Sequence, residues 1–402
     1  MARSKPAELR VVLYSHDSQG LGHTRRNLAL AHALSAGIPE AAGRKVTGLL
    51  VTGESSATRF DVPEGWDWVV LPGIRKGEAG YQPRHLAIGQ DSLIGLRADL
   101  IDAVLARFRP HLMVVDRHAF GVDGELRQAL GNLRRNRPTC KVVLGLREVL
   151  DSPHAVKQEW KKLGDLDAVK RLFDQVWVYG DPAIHDPLAT GEIPKTFAPL
   201  IRYTGYLAAG RVSGSPSTTV TTPYVLTMAG GGSDGLDLVL AAAGAEVPAG
   251  YEHLVITGPQ MPKEHRRLVE NAAREGTRVV AKVRDALTEI EGAAAIISMG
   301  GYNSVSEIMS TSTPALVVPR VEPRLEQLIR AEALARHEIV DVCHPDHVSP
   351  EVIAAWFREV AGKEINRSGV DLAGLATIAP LAADLLGSTT KAQPWRSARV
   401  AG

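Results

Sequence analysis

Leu9-Arg10-Val11-Val12-Leu13-Tyr14-Ser15-His16-Asp17-Ser18-Gln19-Gly20-Leu21-Gly22-His23 passes from an apolar, β-branched run through a glycine-containing turn into a helical pattern. A strand–turn–helix unit puts its turn at the carboxyl end of the strand, where open α/β sheets bind their ligands. Gly20 and Gly22 allow backbone N–H groups to approach an anion, and the start of the next helix favours negative charge. His23 falls in the first helical turn, facing the cleft. It reads either as a general base working near neutral pH or as a side chain that caps and packs the loop.

The same unit recurs along the chain. Short apolar runs at Leu9–Ser15, Lys45–Thr52, Trp68–Leu71, Leu112–Asp116, Lys141–Leu146 and Val176–Tyr179 alternate with helical segments such as Leu21–Ser35 and Leu93–Phe108. The segment Tyr203–Leu207 is expected to close this first sheet. After a Gly/Ser/Thr-rich stretch the pattern restarts at Tyr224–Met228 and continues through His253–Thr257, Arg278–Ala281, Ala294–Ser298 and Ala315–Val318. Helices are expected near Pro350–Val360 and Leu372–Leu386. Alternation of this kind predicts the α/β class, with two Rossmann-like, doubly wound domains facing a cleft. The expected boundaries are 1–207, a linker over 208–222, a second domain over 223–371, a helix over 372–387 that returns to the first domain, and a tail over 388–402.

Two further glycine turns follow strands in the second half. Gly230-Gly231-Gly232-Ser233-Asp234-Gly235 fits a phosphate cradle, with Ser233 as a hydroxyl donor. It also spells G-x-G-x-x-G, but the next strand ends Val255-Ile256-Thr257-Gly258, without the acidic residue that a dinucleotide ribose requires. Arg25 occupies the third glycine position of the first loop and removes that reading there too. Ser298-Met299-Gly300-Gly301-Tyr302-Asn303-Ser304-Val305-Ser306-Glu307 offers backbone N–H groups to a diphosphate, and Glu307 can accept from ribose hydroxyls or simply support its helix. Pro319 to Gln327 then brings an amide that can bond sugar hydroxyls.

On the other half, Asp116 ends a strand on the cleft side and reads equally as a second base or as a helix cap. Arg147 and Glu148 end the strand Lys141–Leu146 and are expected to border an acceptor. The loop from Gly73 to Tyr81 is expected to do the same. Asp165-Leu166-Asp167 lies in a charged helical stretch, and His344 with His347 in a proline loop, so no metal is expected from either.

Composition narrows the class. Lys+Arg at 46 against Asp+Glu at 45 leave a charge of +1, without the basic field that nucleic-acid binding uses. Cys140 and Cys343 form no paired spacing, which fits a reducing cytoplasm. Met1 to Glu8 lack a signal-peptide stretch, and no apolar run approaches the roughly 18 residues of a spanning helix. Peripheral contact with a membrane stays open.

Taken together, Gly-x-Gly-His, Gly-Gly-x-Ser-x-Gly, Ser-x-Gly-Gly-x-x-Ser-x-x-Glu and Pro…Gln, in that order, resemble the peptidoglycan N-acetylglucosaminyltransferase group, most strongly from Val225 to Leu334. The first loop departs from that group by being less rich in glycine, and the arginine expected after the interdomain crossover is not evident around Tyr206. The resemblance implies a glycosyltransferase B fold and a nucleotide-sugar donor such as UDP-N-acetylglucosamine, with no separate cofactor. It implies that Gly231, Gly232 and Ser233 border the diphosphate and that backbone near Val283 meets the base. Glu307 would hold the ribose, Gln327 the transferred sugar, and His23 would lie near the reacting centre. The expected reaction is a metal-independent, inverting displacement at the anomeric carbon by an acceptor hydroxyl. The rival readings are a nucleotide-sugar hydrolase or 2-epimerase, and a non-catalytic subunit that binds the donor.

Overall fold

The computed structural model describes residues 8–16, 21–77, 80–211 and 222–387. In the first half lie β1 (Leu9–Tyr14), β2 (Val46–Thr52), β3 (Trp66–Val70), β4 (Ile74–Gly77), β5 (Gly80–Pro83), β6 (Leu112–Asp116), β7 (Lys141–Arg147), β8 (Gln175–Tyr179) and β9 (Ile201–Tyr203). Seven of these form a parallel sheet ordered β3-β2-β1-β6-β7-β8-β9, and β4 pairs with β5 as a separate antiparallel hairpin. The second half contributes β10 (Tyr224–Met228), β11 (Glu252–Ile256), β12 (Thr277–Val280), β13 (Ala293–Ser298), β14 (Ala315–Val317) and β15 (Asp341–Val342). They form a six-stranded parallel sheet ordered β12-β11-β10-β13-β14-β15. Each sheet therefore winds outward in both directions from its first strand, and each has a crevice where the order reverses, beside β1 and β6 in one and β10 and β13 in the other.

Helices α1 (Gly22–Ala42), α2 (Gln90–Phe108), α3 (Leu126–Asn136), α4 (Pro153–Lys161) and α5 (Leu166–Lys170) belong to the first domain. The second holds α6 (Leu236–Ala243), α7 (Lys263–Ala272), α8 (Ala286–Glu291), α9 (Tyr302–Met309), α10 (Glu326–Ala335) and α11 (Pro350–Val360), and the chain returns in α12 (Gly374–Gly387). Every residue of β6 and of β10 is buried, as expected of central strands covered on both faces.

One core lies between the first sheet and α2 to α5, built on residues such as Ile101, Leu130 and Val156. The other face is covered by α1 and α12. Helix α1 buries Asn27, Leu30, Ala31, Leu34 and Ile38, and α12 buries Leu375, Ile378, Ala379, Ala382 and Leu385. Both sets have the i, i+3, i+4 spacing of a single apolar stripe, so the two helices close on each other. Each large aliphatic side chain in that seam contributes about 1.5–3 kcal/mol. This core continues without a break into Leu226, Ile296 and Val305 of the second domain.

Three local expectations are corrected. Helix α1 runs to Ala42 rather than Ser35, because Pro39 sits close enough to the end to remove a single bond and the Gly43 N–H caps the Pro39 carbonyl. The closing strand is Ile201–Tyr203 rather than Tyr203–Leu207. Beyond Gly205 the chain leaves the sheet: the Tyr206 N–H donates to Asp371 O, and Leu207 bridges Ala373 in the returning segment. In the stretch from Gly73 to Tyr81, expected as an open loop, Ile74–Gly77 instead forms β4 and pairs antiparallel with β5, which begins at Gly80. Most of the expected linker, residues 212–221, and the tail from 388 lie outside the described residues. Among the described residues no helix is long and apolar enough to cross a membrane.

Candidate functional site

The carboxyl end of β1 and the start of α1 hold His16 and His23, and the end of β6 holds Asp116, so the three flank the crevice of the first sheet. The His23 Nδ1 contacts Asp116 Oδ2. A carboxylate only accepts, so the Asp116 contact needs the proton on Nδ1, which leaves Nε2 as the accepting nitrogen of the neutral ring and makes the Arg26 Nη2, 3.1 Å from Nδ1, a close approach without a hydrogen bond. Arg26 lies one turn beyond His23 on α1, on the same helix face. It donates to both Asp116 oxygens at 2.7 Å. Burial works to raise the Asp116 carboxyl, but Arg26 and His23 outweigh it and hold it well below the usual carboxylate range. Asp116 is thus held as an anion near neutral pH, with both oxygens engaged. That geometry removes the reading of Asp116 as a proton-abstracting base.

Around this pair lies a ring of polar aromatics. The His16 Nε2 is 3.1 Å from the Tyr81 hydroxyl, and the His16 ring lies 4.3 Å from that of His118 and 5.8 Å from that of His23. Burial, helped by neighbouring positive charge, pushes both His16 and His118 well below the ordinary imidazole range and keeps them neutral. Tyr81, expected from its loop to face an acceptor, reaches this ring because the hairpin carries it over the end of β1. Arg117 follows Asp116 with φ of 69°. That left-handed backbone is uncommon for a residue bearing a side chain.

The second domain presents its own turns across the cleft. Gly232 has φ of 87°, and a Cβ there would stand 2.2 Å from Thr257 O, so this turn admits only glycine. Gly300, with φ of 77°, is equally constrained by Val317 at 2.6 Å. Gly231 and Ser233 lead into α6, and Gly301 caps the start of α9. Ser304 is half-buried in the first turn of α9, and Val283 is half-buried beyond β12. The Gln327 Oε1 accepts from the Arg320 N–H at 2.9 Å, which leaves its amide hydrogens to offer.

Glu307 lies on the buried side of α9, 1% exposed. Its Oε1 accepts from Arg25 at 2.6 Å and from Arg211 at 3.0 Å, and its buried Oε2 has no partner among the described residues. Asn303 donates to Gly22 O at 2.8 Å, so the first turns of α1 and α9 meet across the cleft. Gly22 is accordingly a domain–domain contact through its carbonyl, while Gly20 lies outside the described residues. Glu148 differs from its expectation. It is fully buried and accepts from Arg330 of α10 at 2.6 Å, with its other oxygen 3.3 Å from the same guanidinium, which leaves nothing for an acceptor. The guanidinium of Arg330 and that of Arg26 each stand 5.6 Å from the centre of the Tyr302 ring. This is a buried cation–π arrangement at the junction of the domains.

Sequence reasoning missed Arg25, Arg26, Arg211, Arg330 and His16. Arg26 had a signal in its three-residue spacing from His23. Arg211 lies a few residues beyond the stretch around Tyr206. Among the described residues no group of three or more His, Cys, Asp or Glu is placed to hold a metal ion; Asp165 instead caps α5, and His344 accepts from the Asp346 N–H.

By sequence the chain matches no family model and no curated protein. By structure it is similar to the glycotransferase of kitacinnamycin, with a TM-score of 0.59, 15% identity, and coverage of 95% of this chain and 98% of that one. It is similar to MurG of Acinetobacter baumannii, with a TM-score of 0.51, 17% identity and coverage of 94% and 99%. Glycosyltransferase VinC, solved in complex with DTDP, gives a TM-score of 0.55 at 14% identity, with 94% and 96% covered. The fold is therefore the glycosyltransferase B fold, two Rossmann-like domains spanning nearly the whole length of these relatives.

Proposed function

We propose that this protein is a glycosyltransferase that moves a sugar from a nucleoside-diphosphate sugar to an acceptor hydroxyl, with a UDP-sugar such as UDP-N-acetylglucosamine as the donor. The observation that carries the reading is the pairing of opposites across the cleft. An imidazole oriented by a buried carboxylate stands on one domain, and a buried carboxylate with one unpartnered oxygen stands on the other.

In this reading the diphosphate lies against the glycine turns at Gly231, Gly232 and Ser233 and at Gly300 and Gly301, where backbone N–H groups and helix starts favour it. The free Glu307 Oε2 accepts from the ribose, and the Gln327 amide donates to the sugar. His23 Nε2 takes the proton of the acceptor hydroxyl while the hydroxyl oxygen bonds the anomeric carbon. The bond from that carbon to the diphosphate oxygen breaks, and its electron pair leaves with the nucleoside diphosphate. The product is inverted, and general-base assistance of this kind is worth about 10²–10⁴ in rate. Asp116 fixes the His23 tautomer and supports the imidazolium that forms. The two free thiols, Cys140 and Cys343, support a reducing cytoplasm as the working compartment.

Thermal-shift screening against UDP-, GDP- and TDP-sugars tests the donor, since a ligand at a hundred times its Kd stabilises the native state by about 2.7 kcal/mol. Release of nucleoside diphosphate only when an alcohol acceptor is added supports transfer. Release at the same rate without acceptor indicates hydrolysis, an isomerised sugar indicates epimerisation, and binding without turnover indicates a non-catalytic subunit. If no nucleotide sugar shifts the melting temperature, the reading fails.

A further inference from the structure

The cleft is lined by arginines, and nearly all of them are neutralised by name. Arg26 is held by Asp116, Arg330 by Glu148, Arg25 and Arg211 by Glu307, and Arg320 by Asp234 and Glu326. Arg147 is the exception. It stands at the end of β7, two residues beyond the Gly145 that pairs with Asp116, and among the described residues its side chain has no ion pair and no hydrogen bond. Its Nε is buried without a partner. Arg117, at the end of the neighbouring strand, bonds Glu159 at 2.7 Å through Nη2, yet its own Nε is also buried and unpartnered.

The environment opposes this arrangement. Burial, then the positive charges of Arg330 and Arg26, push the Arg147 guanidinium down to about 9, and Glu326 relieves only part of that. A cation kept beside other cations, with N–H donors unmet, is an unfavourable element of a fold unless something negative completes it. Guanidinium donors in a fixed fork suit a phosphate or carboxylate above other ligands.

We infer that Arg147 is an anion-binding residue, assisted by Arg117, and that the anion is a phosphate or carboxylate carried by the acceptor. This rests on the glycosyl-transfer reading, in which the acceptor approaches His23 from the first domain. Both arginines belong to that domain, at the ends of β6 and β7, whereas the glycine turns proposed for the donor diphosphate belong to the second.

Inorganic phosphate is the probe, titrated by calorimetry into the full-length protein without nucleotide and again with saturating UDP. Wild type should bind phosphate in both conditions, and Arg147→Gln should weaken that binding about tenfold, the loss of one charge-assisted contact. Arg147→Lys should recover part of it. Because Glu326 offsets only part of the cost of burying this charge, Arg147→Gln should melt no lower than wild type. A lower melting temperature would mark Arg147 as a structural residue and overturn the inference, as would phosphate binding that survives Arg147→Gln unchanged. If UDP displaces phosphate and Arg147→Gln weakens UDP by the same factor, the anion is the donor's diphosphate and the acceptor assignment is wrong. The nucleotide-free arm reports on the arginine alone, whereas failure of every nucleoside diphosphate to bind reports on the transfer reading.

Discussion

Two carboxylates, Asp116 and Glu307, sit on opposite sides of the cleft, each 1% exposed and each held by arginine. They differ in what is left over. Both oxygens of Asp116 are engaged by Arg26 and His23, all within one domain. Glu307 crowds two arginines onto Oε1, one of them from the other domain, and leaves Oε2 buried with no partner among the described residues. A closed set of contacts fixes geometry. An open one retains binding capacity, because an unmet buried acceptor has a free-energy deficit that a ligand hydroxyl can remove. Burial alone would have ranked the two as equals.

The sharpest way to break this contrast is Asp116→Asn. It leaves the Arg26 guanidinium buried without a counter-charge, so stability should fall by about 3–5 kcal/mol in denaturant unfolding. It also unsettles the His23 tautomer, so kcat should fall about a hundredfold or more while nucleotide affinity stays within about twofold. A loss seen in affinity instead of turnover would reverse the roles assigned to the two carboxylates.

Acid should erase the same term. Asp116 binds its proton more weakly folded than unfolded, so its contribution is complete above the unfolded value, near about pH 4, and is lost as pH falls below it. The stability gap between wild type and Asp116→Asn should therefore be constant near neutrality and shrink below about pH 4. A gap that persists at about pH 2 would show that the cost of the substitution is packing, not charge.

Glu307→Gln should act on the ligand. Nucleoside-diphosphate affinity should fall about tenfold, close to about 1.4 kcal/mol, with kcat at saturating donor little changed. Unchanged affinity would sink the open-acceptor reading. The smallest effect is expected from Arg25→Ala. The Arg25 side chain is 34% exposed where it meets Glu307. Its ion pair should therefore contribute under about 1 kcal/mol to stability. Removing it frees part of Oε1, and nucleotide should bind as well as before or more tightly.

How much of this was readable beforehand follows from the range of each interaction. The strands, the glycine turns and His23 are local: period, turn chemistry and a helix start lie within a few residues of one another. Asp116 was legible as a strand-end carboxylate, but base, cap and orienting group share that local pattern. Only its contacts with α1 separate them. Glu148 looked like an acceptor residue for the same reason, and its partner Arg330 is 182 positions away, beyond any spacing rule. The hairpin of β4 and β5 was hidden because its mixed, charged sequence has no clean alternation. Arg147 was found in the sequence by position alone; that its guanidinium has no ion-paired or hydrogen-bonded partner among the described residues exists only in three dimensions.

The seam between α1 and α12 sets an order of assembly during synthesis. Helix α1 carries His23 and Arg26 and is made before the second domain, yet the stripe Leu375 to Leu385 that covers it is made only after that domain. Until then Leu30, Leu34 and Ile38 have no lid. The first domain thus gains the last part of its cover only when α12, the final helix of the described residues, has been made.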